Sequence, residues 1–342
     1  MKKKYLTLIY LIINIAIIIV IGALDPHITD FPKIFAQIKV SWIMITLAAT
    51  VGCWIMDGLL LKYSVGAIRE HKSFLKYMKI SIIGHYYHSV TPMATGGQPV
   101  QVYYMTKIGI PAGCASSAMA IKFLVYQAVL SVYSITAFIL KGSFMIGYSK
   151  ILFNASVVGL CISIGSVILV YSLSINEGIV KKMVFGMLKF LGKIRVIKDV
   201  EAARENIVHH IEDFSKSIRM VRGNYKALLL LVLFTVIQMT LNFSITYFVY
   251  RAFGLQQETW FNILFVQAFL YAGISYFPTP GASGASEGGF YSLFKLFFFS
   301  DVIFASLLLW RFFTYYINII VGLIAIFLDG FKKMSKPTAI NS

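Results

Sequence analysis

Six runs of membrane length dominate the chain, at residues 5–24, 41–61, 113–140, 151–173, 227–250 and 302–328. A helix crossing the ~30 Å hydrocarbon core needs about twenty largely apolar residues in succession, and each run meets that demand. Porin-type barrels read instead as short segments of alternating polarity. The expected fold class is therefore an all-α polytopic membrane protein. Of the 342 residues, 58% are hydrophobic and 13% charged, a balance outside that of water-soluble domains of this length. The first run follows "MKKK", is too long for the apolar stretch of a secretory signal and ends without an A-x-A-like site. It reads as an uncleaved first helix.

Lys and Arg total 31 against 14 Asp and Glu, a net charge of +17. The excess gathers at Lys2 to Lys4, at Lys62, Arg69, Lys72, Lys76 and Lys79, across 174–226, and at Lys332, Lys333 and Lys336. Basic loops stay in the cytoplasm, so both termini are expected there, with the spans in the cytoplasmic membrane. Attraction to anionic headgroups is a compatible second consequence. Within 174–226, Val200, Ile207, Ile211, Phe214, Ile218 and Val221 recur at near-helical spacing, the pattern of an amphipathic cytoplasmic helix. Cys53, Cys114 and Cys161 lie in apolar runs without CxxC spacing and read as packing residues.

Two further hydrophobic segments, about 80–110 and 261–299, are interrupted by Pro and Gly. The first break reads "TPMATGGQP" from Thr91 and the second "TPGASGASE" from Thr279, a shared T-P-x-A-[T/S]-G-[G/A] at an offset of 188 residues. A span with one basic residue inside it follows each: Lys122, thirty residues after Pro92, and Arg311, thirty-one after Pro280. With all four basic segments on one side, each interrupted segment must enter and leave on the same side. Each is expected to be a re-entrant hairpin of two half-helices, which a membrane tolerates only where protein or a water-filled cavity surrounds the irregular backbone. Units at about 41–140 and 227–328, separated so that the second is upside down, form an expected inverted repeat within a single membrane domain. Broken helices at such an interface mark many transporter binding sites.

The breaks themselves (Thr91, Pro92, Gly96, Gly97 and Pro99; Pro278, Pro280, Gly281, Ser283, Gly284 and Ser286) place two helix N-termini at membrane depth. Pro99 is expected at the first helical position, and Ser283 or Ser286 as the cap of the second half-helix. Exposed N–H groups and the positive dipole end favour a phosphate or another anion. Lys122 and Arg311 lie about ten residues into their spans, where a charge costs at least ~2.5 kcal/mol, so neither is expected to face lipid. Each has two open roles: holding an anion, or pairing internally, Lys122 with Asp57 and Arg311 with Glu287. Glu287 falls in the first turn of its half-helix, where a carboxylate caps favourably, with proton coupling or amine binding as the sharper alternative. His85 and His88, one turn apart, make a poor metal site and read as a packed or substrate-facing pair. Nucleophile elbow, P-loop, HExxH and nucleotide fingerprints are absent from the sequence, so no catalytic residue, cofactor or metal is expected.

"TPMATGGQPVQVYYMTKIGIP", the later "PTPGASGASEGGFYSLF" and Arg311 in a final span resemble the flippase-like membrane domain of the lysylphosphatidylglycerol synthase (MprF) family, with its YbhN and AglD relatives. The likeness runs from about residue 5 to 330. It implies translocation of a lipid such as aminoacylated phosphatidylglycerol between leaflets. Full-length synthases carry a soluble aminoacyltransferase domain, which the resemblance leads one to expect missing from a chain ending at Ser342. Many relatives have a "GGDxxR" pattern where this sequence has Gln98 and Gln101, so the family's charge pair does not transfer to those positions. Both Gln can still hydrogen-bond a headgroup.

The sequence thus predicts a lipid transporter whose headgroup path is lined by Gln98, Gln101, Lys122, Glu287 and Arg311. The lipid is an anionic or aminoacylated phospholipid, or a polyprenyl-phosphate lipid. Membrane phospholipids are the expected partners and nucleic acid is not; a separate lipid-modifying enzyme and a homo-oligomer stay open. The competing reading is a phosphatidylglycerol lysyltransferase, or its membrane subunit, using aminoacyl-tRNA. A third is a non-transporting scaffold for a separate synthase.

Overall fold

The computed structural model describes residues 31–68, 73–175 and 224–334, with a few positions between 178 and 189. The expected span at 5–24 and nearly all of the amphipathic segment 174–226 lie outside the described residues. A short helix, α1 (Phe31–Ala36), precedes the long α2 (Val40–Gly66). The first interrupted segment folds as α3 (Phe74–Val90) and α4 (Gly97–Lys107). Then come α5 (Ala112–Tyr148), α6 (Lys150–Ile175) and α7 (Tyr225–Ala252). The second interrupted segment forms α8 (Trp260–Ile274) and α9 (Ala285–Phe294). The last span is α10 (Ile303–Arg311), one π turn (Phe312–Tyr316) and α11 (Ile317–Met334).

The chain is an all-α, multi-pass membrane protein. Five helices among the described residues are long and apolar enough to cross a membrane. The runs at 41–61, 113–140, 151–173, 227–250 and 302–328 each match one of them to within a residue or extend less far than it does. Polar residues set the ends: Asn224 accepts from Ala227 N at 3.1 Å and caps α7, and Thr259 accepts from Asn262 N at 3.3 Å and caps α8. After α4, Gly109 adopts φ 89°, a left-handed turn that lets the chain reverse into α5. Large side chains such as Ile139, Ile151, Val158, Leu229 and Phe327 stay exposed, as lipid-facing surface should.

Helices α2 and α7 run antiparallel through the centre, tied where Lys39 N donates to Ala252 O at 2.9 Å. At that end the Arg251 guanidinium lies 5.0 Å from the Trp42 ring, and Trp260 Nε1 donates to Ser244 Oγ at 2.8 Å. Aromatic and basic groups of this kind anchor a bundle at a membrane interface. Lys79 of α3 pairs with Asp329 of α11 elsewhere in the bundle. The packing is reciprocal: α3 lies against α11, the last span, while α8 lies against α5, the span that follows the first break. Each broken segment therefore leans on the span carrying the other segment's basic residue. The largest apolar core, with Phe243, Phe269, Phe290, Phe294 and Trp310 fully or nearly buried, supports the second break from behind.

Candidate functional site

The likeness between the two breaks extends to their backbones. Ala94 N donates to Thr91 O and Thr95 N to Pro92 O, each at 3.2 Å; Ala282 N donates to Thr279 O at 3.0 Å and Ser283 N to Pro280 O at 3.2 Å. The Thr95 hydroxyl donates to Pro92 O at 2.9 Å and the Ser283 hydroxyl to Pro280 O at 2.8 Å. In both, the two residues after proline are left-handed: φ is 52° at Met93, 54° at Ala94, 60° at Gly281 and 53° at Ala282. Non-glycine residues rarely adopt this conformation, so neighbouring contacts must hold it. The two tips meet directly, through an isolated antiparallel bridge between Pro92 and Pro280.

The helix starts differ in detail from expectation. Helix α4 begins at Gly97, which puts Pro99 at the third position rather than the first. It still loses no helical bond, because the first turn's N–H groups have no helical partners. Neither serine caps α9: the Ser283 and Ser286 hydroxyls turn back to the carbonyls of Pro280 and Gly281. The cap is Glu287, whose Oε2 accepts from Gly284 N at 2.7 Å. In the first break Gly96 N is likewise used, by Thr91 Oγ1 at 2.8 Å. Positive charge toward the space between the breaks therefore comes from side chains, Lys122 and Arg311.

That space is a cavity of about 420 Å³. Its wall includes Met93 and Ala94 from the first tip, Gly281 and Ala282 from the second, and Lys122 and Arg311. Gln98 and Gln101 also reach it, as do Asp57, His85, His88 and Ser286. Glu287 does not, its two oxygens being held by Gly284 N and Arg311 Nε, and Thr91, Pro92, Gly96, Gly97, Pro99, Pro278, Pro280, Ser283 and Gly284 stay off the wall as well.

Both internal pairs foreseen from the sequence form. Lys122 Nζ lies 2.7 Å from Asp57 Oδ1, and Gln238 Nε2 donates to the same oxygen at 3.2 Å. His85 Nε2 stands 3.5 Å from Asp57 Oδ2. Arg311 Nε donates to Glu287 Oε1 at 2.6 Å and its Nη2 to Gly281 O at 3.1 Å. Asp57 and Arg311 are each 4% exposed and Glu287 1%, so an unpaired charge at any of them would be costly. An anion entering the cavity finds two cations, each already holding a carboxylate.

Two residues outside the expected set organise the site. Tyr315 in the π turn lies 4.9 Å from the Arg311 guanidinium, and its hydroxyl donates to Ser89 O at 3.0 Å, just before the first break. Gln238 supplies the uncharged donor to Asp57. A strongly polar residue inside the apolar run 227–250 was the available signal for Gln238; a tyrosine among "FFTYY" gave none. His85 joins the acid while His88 supports the break, its Nδ1 2.6 Å from Ala94 O and its ring where a Cβ on Gly97 would sit.

Bundle and cavity together define a multi-pass α-helical membrane protein with a buried, ion-paired polar chamber between two broken helices. The chain belongs to the family described as the lysylphosphatidylglycerol synthase transmembrane region, whose model matches residues 11–322. It is also similar to a UPF0104 membrane protein of Archaeoglobus fulgidus, 24% identical over 322 residues that cover 92% of this chain and 95% of that protein.

Proposed function

We propose that the protein translocates a phospholipid across the cytoplasmic membrane, the headgroup phosphate passing through the cavity while the acyl tails stay in the bilayer. The lipid is anionic or aminoacylated, or a polyprenyl-phosphate, and the two break-containing units act as an inverted repeat that opens to either side in turn. The observation that carries this reading is that Lys122 and Arg311, each from the span after one break, line one cavity together with residues of both tips. A buried cation in a membrane is costly, and keeping two beside an open volume fits a passage for an anion better than it fits packing. Membership in a family named for a lipid synthase's membrane region supports a lipid as the cargo. Arg311 suits a two-pronged phosphate contact and Lys122 a point charge. Gln98 and Gln101 add neutral hydrogen bonds on the α4 side, and Glu287 acts from behind by holding Arg311.

The test is lipid mass spectrometry on the purified full chain beside Arg311→Ala, with fluorescent phosphatidylglycerol translocation in proteoliposomes. Wild type should carry phosphate lipid and move the probe, and the variant should lose both. Equal lipid and equal translocation in the two would overturn the reading. The family's name favours one alternative, synthesis of lysylphosphatidylglycerol. Product from charged tRNA and phosphatidylglycerol, with no translocation, would put that alternative in its place.

A further inference from the structure

Lys122 has three N–H donors but a single charge, so it cannot neutralise a phosphate and Asp57 at once. When a headgroup takes the ammonium, Asp57 is left as a buried carboxylate facing Gln238 and His85. A carboxylate at 4% exposure in a membrane bundle needs a cation nearby. The groups that face it are few. Cys53 lies on its own helix, His85 and His88 come from α3, Lys122 and Tyr126 from α5. Helix α7 supplies the uncharged Gln238, and Asn318 of α11 is engaged by Trp54. Arg311 is held by Glu287 and Gly281. Of these His85 alone combines a direct approach to the acid with a nitrogen that has no hydrogen-bond partner: Nε2 and Asp57 Oδ2, 3.5 Å apart, are both buried and otherwise unbonded. The His85 side chain is 26% exposed and reaches the cavity wall, where water can deliver a proton.

Resting on the lipid-phosphate reading above, we propose that the site takes up one proton with each headgroup phosphate, and that His85 carries it. The exchange balances. In the empty site Lys122 ammonium neutralises Asp57 and His85 is a neutral ring with its N–H at Nε2. In the loaded site Lys122 pairs with the phosphate monoanion, Nδ1 of His85 has gained a proton from water, and the imidazolium donates through Nε2 to Asp57. One negative and one positive charge have entered, so the buried chamber keeps its net charge. For a lipid whose phosphate is its only charge, transport is then phosphate–proton symport, driven by the pH gradient and insensitive to membrane potential.

The full chain, in detergent micelles or nanodiscs, is titrated calorimetrically with dioctanoyl-phosphatidylglycerol and separately with inorganic phosphate, in buffers of different ionisation enthalpy and at several pH values. Phosphatidylglycerol should bind with uptake of about one proton, and affinity should fall about tenfold per unit rise in pH wherever that uptake occurs. His85→Gln should bind lipid with a heat independent of the buffer and with no such slope. Wild-type binding with the same heat in every buffer overturns the proton coupling and leaves the lipid reading standing. Binding with inorganic phosphate but not with the lipid overturns the lipid as the source, and proton uptake there supports the coupling where it exceeds the phosphate's own protonation and is lost in His85→Gln. If neither ligand binds, both readings fall. The wild-type measurement decides the coupling even if His85→Gln does not fold.

Discussion

The hydroxyl of Tyr315 donates to the carbonyl of Ser89 at 3.0 Å, joining the π turn of the last span to the end of α3 just ahead of the first break. The same ring lies where a Cβ on Gly281 would come within 2.1 Å of its Cε2, so it also rests on the second break. One side chain therefore touches the helix end before the first tip, the second tip and the Arg311 guanidinium. A π turn beside a functional residue is a frequent device for re-aiming a helix, and here it turns Tyr315 inward.

Tyr315→Phe removes the hydrogen bond and keeps the ring. It should cost about 0.5–1.5 kcal/mol of stability, read as a small drop in Tm of the purified protein. Gly281→Ala should cost more, because its φ of 60° and the tyrosine ring both oppose a side chain. If Gly281→Ala proves the milder of the two, the packing of Tyr315 on the second tip is wrong.

Arg311→Ala leaves Glu287 buried with its cap to Gly284 but no cation. Breaking a buried pair on one side costs about 3–5 kcal/mol, whereas removing both partners costs less than the sum. Arg311→Ala with Glu287→Gln should therefore recover part of the Tm lost in Arg311→Ala alone, while translocation stays lost. Thermal melts and proteoliposome assays on the three proteins separate the pair's structural share from its role toward a lipid. Full recovery of both stability and transport would reduce Arg311 to a packing group.

Much of this site was legible because charge in an apolar run is conspicuous. Lys122, Arg311 and Asp57 are rare charges in membrane-length runs, Glu287 is the acid at the second break, and pairing between them follows from cost alone. The repeated T-P-x-A-[T/S]-G announced two breaks, and the structure gives them one backbone geometry. What stayed hidden depends on which contacts form. Nothing in "TPMAT" itself marks Met93 and Ala94 as left-handed; His88, six residues back, braces them through Ala94 O at 2.6 Å, a contact that composition alone does not announce. The cap of α9 had two candidates in the sequence, the serines by propensity and Glu287 by its place in the first turn, and Glu287, with the better reach, takes it. That Pro92 and Pro280 touch, 188 positions apart, is a tertiary fact for which the repeat supplied only a hint.

The Lys122–Asp57 pair permits a second separation. Lys122→Met strands a buried carboxylate and should lower Tm strongly, by the same ~3–5 kcal/mol. Adding Asp57→Asn supplies a neutral group of equal size that Gln238 and His85 can still hydrogen-bond, so Tm should return most of the way. Translocation of phosphatidylglycerol should remain absent in the double variant, which has lost the cation. Transport returning along with stability would mean that Lys122 serves the fold alone.

Helix α6 tests the frame around the site. A Cβ on Gly159 would come within 1.8 Å of the Ala272 carbonyl oxygen on α8, a backbone atom that no rotamer change can move aside. The same contact is fastened by Ser156, whose hydroxyl donates to Phe269 O at 2.9 Å. Small residues that let helix backbones approach, with hydroxyls bonding across, hold membrane helices together where the hydrophobic effect does not. Gly159→Ala must push α6 away and should cost about 1–3 kcal/mol. Gly165, on the same helix with open space around it, provides the control. Gly165→Ala should leave Tm unchanged or raise it, since alanine favours the helix by up to about 1 kcal/mol. Equal effects at the two positions would show that α6 does not pack on α8 in this register, and the second break, which continues from α8, would lose its support.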